Sequence, residues 1–576
     1  MMVDAPPFRR WRRAAPNAPI VILAALGAAV LLYLARSMTF WQDEWGSIMF
    51  SGGPLDLIKP VNEHWSTIPL LMYRATFAIV GLHSYLPYIA QVIALHLISV
   101  AAAYMLVRRR GGWIVATLAC VPLLFLGSGS ENLFWAFQTG FVGSVAFGLW
   151  ALVLLERSGR ASAAGAAILL LASLMSSGMG LFFMVAATGR TLLDPAARPR
   201  AVAIIPAAIA YTAWYLTVGH DPVTQAGHLS GVLAVPAFVA RGVGHAVGAF
   251  SGLGLLPRGN LLSVAAFGIA ALATGWAVFT SRRPPALAAG ALLAILAMYT
   301  LIGVVRAELE SDFATRSRYV YVAAFLLVIT VADWLPLLRD YANGRPRRRV
   351  ALVAVLSVVL VAATLANAAA FGPIRARFAS HADLTRAYVG LAMTSRGAGW
   401  VDPHSVLPGM PPLPILITTI GRFGSPLRDD LVPAVARDPG PKAREDALLR
   451  MVGSGFRIEP ALGEATSLPL VLVKIDDATG TWNGACLTLT DAGDEARVTV
   501  ALPSGSRLRV AASSDGGASA LLGLLRSPSK RIDLELEAGA PIDVVVPDIG
   551  DGSTWTVRLD VPGVTGQIEV CRVARP

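Results

Sequence analysis

Blocks of about twenty apolar residues, separated by short polar turns, fill the chain from residue 17 to residue 371. The first, APIVILAALGAAVLLYLA over residues 18–35, is long enough for a helix to cross the roughly 30 Å hydrocarbon core of a bilayer. Its apolar run exceeds that of a cleaved signal peptide and shows no small-residue cleavage site, so residues 17–36 read as a retained anchor. The pattern predicts about eleven spans, the last near residues 350–371. The pair over residues 168–189 is the least regular, two short halves meeting at a Ser/Gly break. Beyond residue 372 the period changes. LVLVKID, ACLTLTD, ARVTVAL, SRLRVAAS, KRIDLELEA, IDVVVPD, TWTVRLDV and GQIEVCRV alternate apolar with polar between Gly, Asp and Pro turns. They predict an all-β sandwich or jelly roll over residues 471–576. Residues 372–470 read as mixed α/β, with helices over 383–393 and 442–455.

The polar turns alternate in charge. FRRWRR (8–13), RRRGG (108–112), ERSGR (156–160), GRTLLDPAARPR (189–200), SRRP (281–284) and RDYANGRPRRR (339–349) are basic, and each falls on every second turn. Basic turns stay on the cytoplasmic side. Residues 1–16 are therefore expected inside, the turns 127–140, 176–180, 219–231 and 306–319 outside, and everything after residue 372 outside a cytoplasmic (inner) membrane. Composition agrees: 55% hydrophobic and 15% charged residues, with mean hydropathy +0.60, exclude an ordinary soluble protein. The formal charge of +11 is accounted for by the topological clusters, so no nucleic-acid partner is expected. Abundant Ala, Arg, Gly and Val read as a GC-rich bacterial genome.

Cys120 falls in a span, whereas Cys486 and Cys571 fall in two strands of the terminal β-domain. An external location lets that pair form a disulfide; two separate buried thiols are the alternative. Neither cysteine belongs to a CxxC or His-bearing array, so zinc is not expected.

Four external stretches carry chemistry. FWQDEWGSIMF (40–50) sets Asp43 beside Glu44 just past the first span. NEHW (62–65) offers Glu63 and His64 for acceptor hydroxyls or a divalent ion, with interfacial packing as the plainer role. Trp65, Tyr73 and Tyr85 in the same stretch are expected at head-group level. GSENLFWAFQTG contains Glu131, Asn132, Trp135 and Gln138 at helical spacing, a polar and aromatic face for a sugar or a capped helix end. ATRSRYVY places Arg316 and Arg318 against the positive-inside trend, where bidentate phosphate binding is a suitable reason and pairing with Glu308, Glu310 or Asp312 the alternative. Arg306, His220 and Asp221 are weaker candidates.

With QDEW in its first external loop, NEHW in the next stretch and RSRYVY late in the bundle, the chain resembles the GT-C class of integral membrane glycosyltransferases over about residues 17–371. The resemblance implies a polyprenyl-phosphate sugar donor and an inverting displacement. It nominates Asp43 as the base for the acceptor proton, with Glu44 as its alternate or orienting neighbour, and Arg318 followed by Tyr319 for the donor phosphate. The acceptor would be an envelope glycan, lipid or protein hydroxyl, and the β-domain would bind glycan or a partner. A divalent cation (Mg or Mn) is possible on this reading. The chain has no GxxxxGK[ST], no large cytoplasmic domain and no GxGxxG opening a helix, which disfavours nucleotide-sugar donors and ATP coupling. A transporter or flippase of a lipid-linked precursor is the second reading. It would want ionisable groups at mid-membrane depth, where Asp333 is the main one and lies toward the cytoplasmic end of its span. A mere anchor for the β-domain would need a single span.

Overall fold

The computed structural model describes residues 17–49, 53–220, 229–281, 284–307, 311–395, 398, 400–427, 439–452, 457–524, 526, 530–550, 552–561 and 566–574. Contacts sort the chain into two units: Met1–Met38 with Ser47–Phe378, and Thr39–Gly46 with Ala379–Pro576.

The first unit is helical. Its elements are α1 (Ala18–Ala35), the last three residues of α2 (Asp43–Met49), a hairpin of β1 (Pro60–Val61) and β2 (His64–Trp65), α3 (Thr67–Val80), α4 (Leu86–Leu124), α5 (Glu131–Phe134) and α6 (Thr139–Leu155). There follow α7 (Arg160–Leu174), α8 (Gly180–Leu193), α9 (Ile204–Trp214), α10 (Leu229–Ser251), α11 (Gly259–Thr280), α12 (Ala286–Arg306), α13 (Ser317–Ala342) and the larger part of α14 (Pro346–Thr394). Among the described residues nine helical stretches are long and apolar enough to cross a membrane, the architecture of a polytopic membrane protein.

Nine differs from the expected eleven for physical reasons. The 39-residue α4 is two helices, because Gly112 takes φ +81°, a conformation open to glycine and costly for other residues. The halves fold side by side, with Cys120 Sγ 3.9 Å from the Val100 carbonyl. Helices α7 and α8, of 15 and 14 residues, are short for a span. The region read as one span before residue 281 holds both α10 and α11.

Polar contacts define two ends of this unit. At one end Arg110 pairs with Glu156 and, at 2.8 Å, with Asp333. Asp333 Oδ2 also accepts the first N–H groups of α12, from Leu287 and Ala288 at 2.9 and 3.0 Å, as a helix amino end requires. Arg200 donates to the Leu155 carbonyl there, and Trp334 Nε1 reaches Thr274 near the end of α11. At the other end Asn367 Oδ1 takes the backbone and hydroxyl hydrogens of Ser128, while its Nδ2 donates to the Phe250 carbonyl. Helix α10 packs Phe238 on Gly303, one turn before Arg306. It therefore starts and finishes in the half that carries Arg306 and Ser128, whereas α11 runs to the Asp333 end.

Small residues let the helices approach. A Cβ on Gly189 of α8 would lie 2.5 Å from the Gly290 Cα of α12, and Ser144 and Ser173 exchange hydroxyl-to-carbonyl hydrogen bonds at 2.7 Å. Backbone proximity and such polar pairs are how helices associate where lipid removes the hydrophobic drive.

The second unit adds α15 (Leu413–Phe423), α16 (Pro441–Met451) and an antiparallel sheet of β3 (Arg457–Pro460), β4 (Ser467–Leu468), β5 (Val471–Trp482), β6 (Cys486–Pro503), β7 (Arg507–Ala512), β8 (Gly516–Gly523), β9 (Lys530–Leu536), β10 (Ile542–Val545), β11 (Thr554–Asp560) and β12 (Ile568–Val573). The main order is β3-β10-β7-β12-β6-β11-β8-β9, with β4 on β12 and β5 on β6. Register follows alternation: Trp555, Val557 and Leu559 face inward and lie opposite Leu502, Val500 and Val498. Leu448 and Val452, at the end of α16, close the same core.

Two expected strands, ACLTLTD and ARVTVAL, are one long β6, and β8 (GGASALLG) was not foreseen. Its glycines and small residues read as a turn, and pairing with β11 and β9 makes it a strand. Sheet structure also begins at Arg457, inside the stretch read as mixed. Cys486 and Cys571, opposite each other on β6 and β12, are joined in a disulfide.

Gly189→Leu is expected to lower bundle stability by about 3 kcal/mol through overpacking, read by thermal unfolding in detergent. Gly268→Leu, which meets nothing within 4 Å, should be near neutral. Cys486→Ser is expected to cost about 2–5 kcal/mol, seen as an earlier unfolding transition that reductant reproduces in the wild type.

Candidate functional site

The candidate residues fall into two sets, Asp43 and Glu44 in the second unit and the rest of the external candidates in the first. Each set has its own geometry.

Around Asp43 the chain turns through Gln42, whose φ of +46° starts α2. Glu44 is fully buried; its Oε2 accepts the Trp41 N–H at 2.7 Å while its own N–H donates to the Trp41 carbonyl at 3.2 Å. This reciprocal pair has capping-box geometry, so the Glu44 carboxylate is engaged in holding the turn. Asp43 is exposed. The Trp41 ring stacks on His381 at 4.7 Å. Gly409, at φ +80°, lets Gln42 approach so closely that a Cβ there would lie 2.5 Å from the Gln42 Cα. The exposed carboxylate can take a proton from a hydroxyl; the buried one is placed to orient the turn.

In the first unit, guanidinium groups gather where α12 ends and α13 begins. Arg306 and Arg316 lie over the Phe313 ring at 5.3 and 4.9 Å. Arg306 Nη2 is 3.6 Å from Glu63 Oε2, and Arg318 Nε is 3.4 Å from Glu131 Oε1. Glu308, Glu310 and the Asp312 side chain, the partners considered in sequence, lie outside the described residues. Backbone contacts hold the Arg318 turn. Asn132 Nδ2 donates to the Arg318 carbonyl at 3.1 Å, Ser317 Oγ accepts the Glu131 N–H at 3.3 Å, and Ser317 donates to the Ser128 carbonyl at 2.8 Å.

The stretch 131–138 does not present one helical face. Helix α5 ends at Phe134, Trp135 is extended, and residues 136–138 form a separate 3-10 turn. Asn132, Trp135 and Gln138 are all buried, and Asn132 Oδ1 and Gln138 Oε1 have no hydrogen-bond partner among the described residues. Of these four candidates, Glu131 keeps partial exposure. The aromatic residues expected at head-group level are also buried in protein: Trp65 stacks on Trp214 at 5.2 Å, and Tyr73 and Tyr85 pack against Tyr88.

His64 projects from the hairpin toward the Ser/Gly break between α7 and α8, where a Cβ on Gly178 would meet its Nδ1 at 3.0 Å. With Asn62, Ser66, Phe141, Ser176 and Ser177 it lines a cavity of about 40 Å³, room for one water. Burial, reinforced by the positive charges of Arg306 and Arg318, lowers its pKa from 6.5 to about 4. A file of rings, His64, Phe141, Tyr319 and Tyr299, with centroids 5.9 to 6.5 Å apart, runs from this cavity into the bundle. Tyr299, Phe313, Ser317 and Ser176 were not singled out from sequence, because contacts between distant segments alone give them a role. His220 is exposed beside Tyr215, and Asp221 lies outside the described residues. For metals, the group within reach among the described residues is Cys486, Glu569 and Cys571, whose sulfurs already form the disulfide.

His64 binds a proton more weakly when folded than when unfolded, so as pH falls the unfolded chain protonates first. Its contribution to stability is expected to decline between pH 6.5 and about 4. Arg306→Gln should raise the His64 pKa, measured by NMR titration of the labelled ring; an unchanged pKa would show that the guanidinium exerts no field there. Compared with known proteins, the chain matches no family model and no curated sequence.

Proposed function

We propose that this protein is a GT-C-like membrane glycosyltransferase that moves a sugar from a polyprenyl-phosphate donor to an envelope hydroxyl at the outer face of the cytoplasmic membrane. The observation that carries the reading is the gathering of Arg306, Arg316 and Arg318 at the end of the helical unit opposite Arg110, Arg200 and their partners. Arg-rich turns mark the cytoplasmic end. Arginines collected at the other end run against that gradient and suit a fixed anion, for which the forked guanidinium is the preferred group.

Chain direction supports the same sidedness. Counting α4 twice, adding short α7 and α8, and omitting α10, which returns to its own half, the nine long stretches become eleven crossings. An odd number sends residues after α14 outside when the amino end is inside. A disulfide in the second unit suits that oxidising location.

In the proposed reaction Asp43 accepts the proton of the acceptor hydroxyl as its oxygen attacks the anomeric carbon. The bond from that carbon to the phosphate oxygen breaks with inversion, and its electron pair stays on the phosphate. A phosphodiester monoanion thereby becomes a monoester dianion, and Arg318 with its neighbours stabilises the charge that develops.

The test is transfer of radiolabelled sugar from a panel of polyprenyl-phosphate donors to envelope extract by purified protein. Asp43→Asn is expected to lower the rate by about 10²–10⁴ and Arg318→Gln by about 10², with both variants folded. Glu44→Gln should act mainly on stability. No product from any donor, with labelled donor exchanging across proteoliposomes regardless of Asp43, would identify a transporter instead.

A further inference from the structure

The Arg306–Arg318 cluster contains two carboxylates held in different ways. Glu131 is anchored: its N–H is bonded to Ser317, its neighbour Asn132 holds the Arg318 carbonyl, and its side chain is 16% exposed. Glu63 is 34% exposed and sits at the tip of the β1–β2 hairpin. Asn62 and Glu63 there have φ of +47° and +68°, the left-handed pair a two-residue hairpin turn needs and in which glycine or asparagine, not glutamate, is favoured. The strained tip presents the carboxylate to Arg306 at 3.6 Å, beyond hydrogen-bond length. Trp65, stacked on Trp214 and donating from Nε1 to Thr67 Oγ1 at 2.8 Å, fixes the hairpin base.

We infer that Glu63 is a resting counter-ion of Arg306 which an incoming phosphate displaces, and that its charge makes the cluster prefer a phosphodiester monoanion to a phosphomonoester dianion. This rests on the reading of Arg306 and Arg318 as a phosphate site. A displaced Glu63 carboxylate remains tethered within a side chain's length of the ligand, and its repulsion grows with each ligand charge. His64, neutral above about pH 4, does not offset it. In the proposed reaction the donor is the monoanion and the spent carrier the dianion, so Glu63 favours donor binding and product release.

Full-length protein in nanodiscs is titrated calorimetrically with decyl methyl phosphate and with decyl phosphate at pH 8.5, where the monoester is a dianion. Wild type should bind the diester more tightly. Glu63→Gln should raise affinity about threefold for the diester and about tenfold for the monoester, and Arg306→Gln should lower both by about tenfold. Glu63→Gly, which also relieves the turn, should reproduce the gain and covers a Glu63→Gln that folds poorly. Unchanged or weaker monoester binding in both Glu63 variants, with Arg306→Gln still impaired, overturns the counter-ion role and leaves the phosphate site standing. Binding of neither probe, or binding indifferent to Arg306→Gln and Arg318→Gln, overturns both.

Discussion

An ionised side chain cannot rest unpaired in hydrocarbon, and the first unit is arranged around that cost. Among the described residues, ion pairs of this unit gather toward the helix ends. Asp333 shows how tightly: one carboxylate serves Arg110 through one oxygen and two orphan N–H groups of α12 through the other. These ion pairs make the two ends chemically distinct. One gathers the Arg-rich turns with Glu156 and Asp333, and the other gathers Glu63, Glu131, Arg306 and Arg318.

The same cost governs backbone. Where helices stop inside the unit, side chains take over their polar groups, as Asn367 does by bridging Ser128 and Phe250. Glycines set the approach distances, and Gly112 turns one apolar run of 39 residues into two neighbouring helices. In the second unit, water on one side and a core on the other impose period-two alternation. The disulfide between β6 and β12 ties two strands 85 residues apart in sequence.

Much of this was legible because it repeats. Runs of apolar residues, the alternation of Arg-rich turns and the inward Trp555, Val557, Leu559 set each state a physical constraint many times over. Single events were not legible. The break at Trp135 buries Asn132 and Gln138 where spacing suggested one helical face. Strand β8 exists because β11 and β9 supply its hydrogen bonds, against the turn-like look of its own residues. Asp43 and Glu44 are adjacent carboxylates in sequence, and the capping pair with Trp41 buries Glu44 and leaves Asp43 exposed.

By itself the sequence determined that this chain has an apolar helical part of membrane-crossing character followed by a β-rich part, since hydropathy and period act locally and need no partner. Tertiary structure alone decided which groups share a charge. Glu63 meets Arg306 across 243 positions, and Glu131 meets Arg318 across 187. Such pairings depend on how helices pack and where hairpins point, and an ion pair between remote segments leaves no periodic trace in either of them.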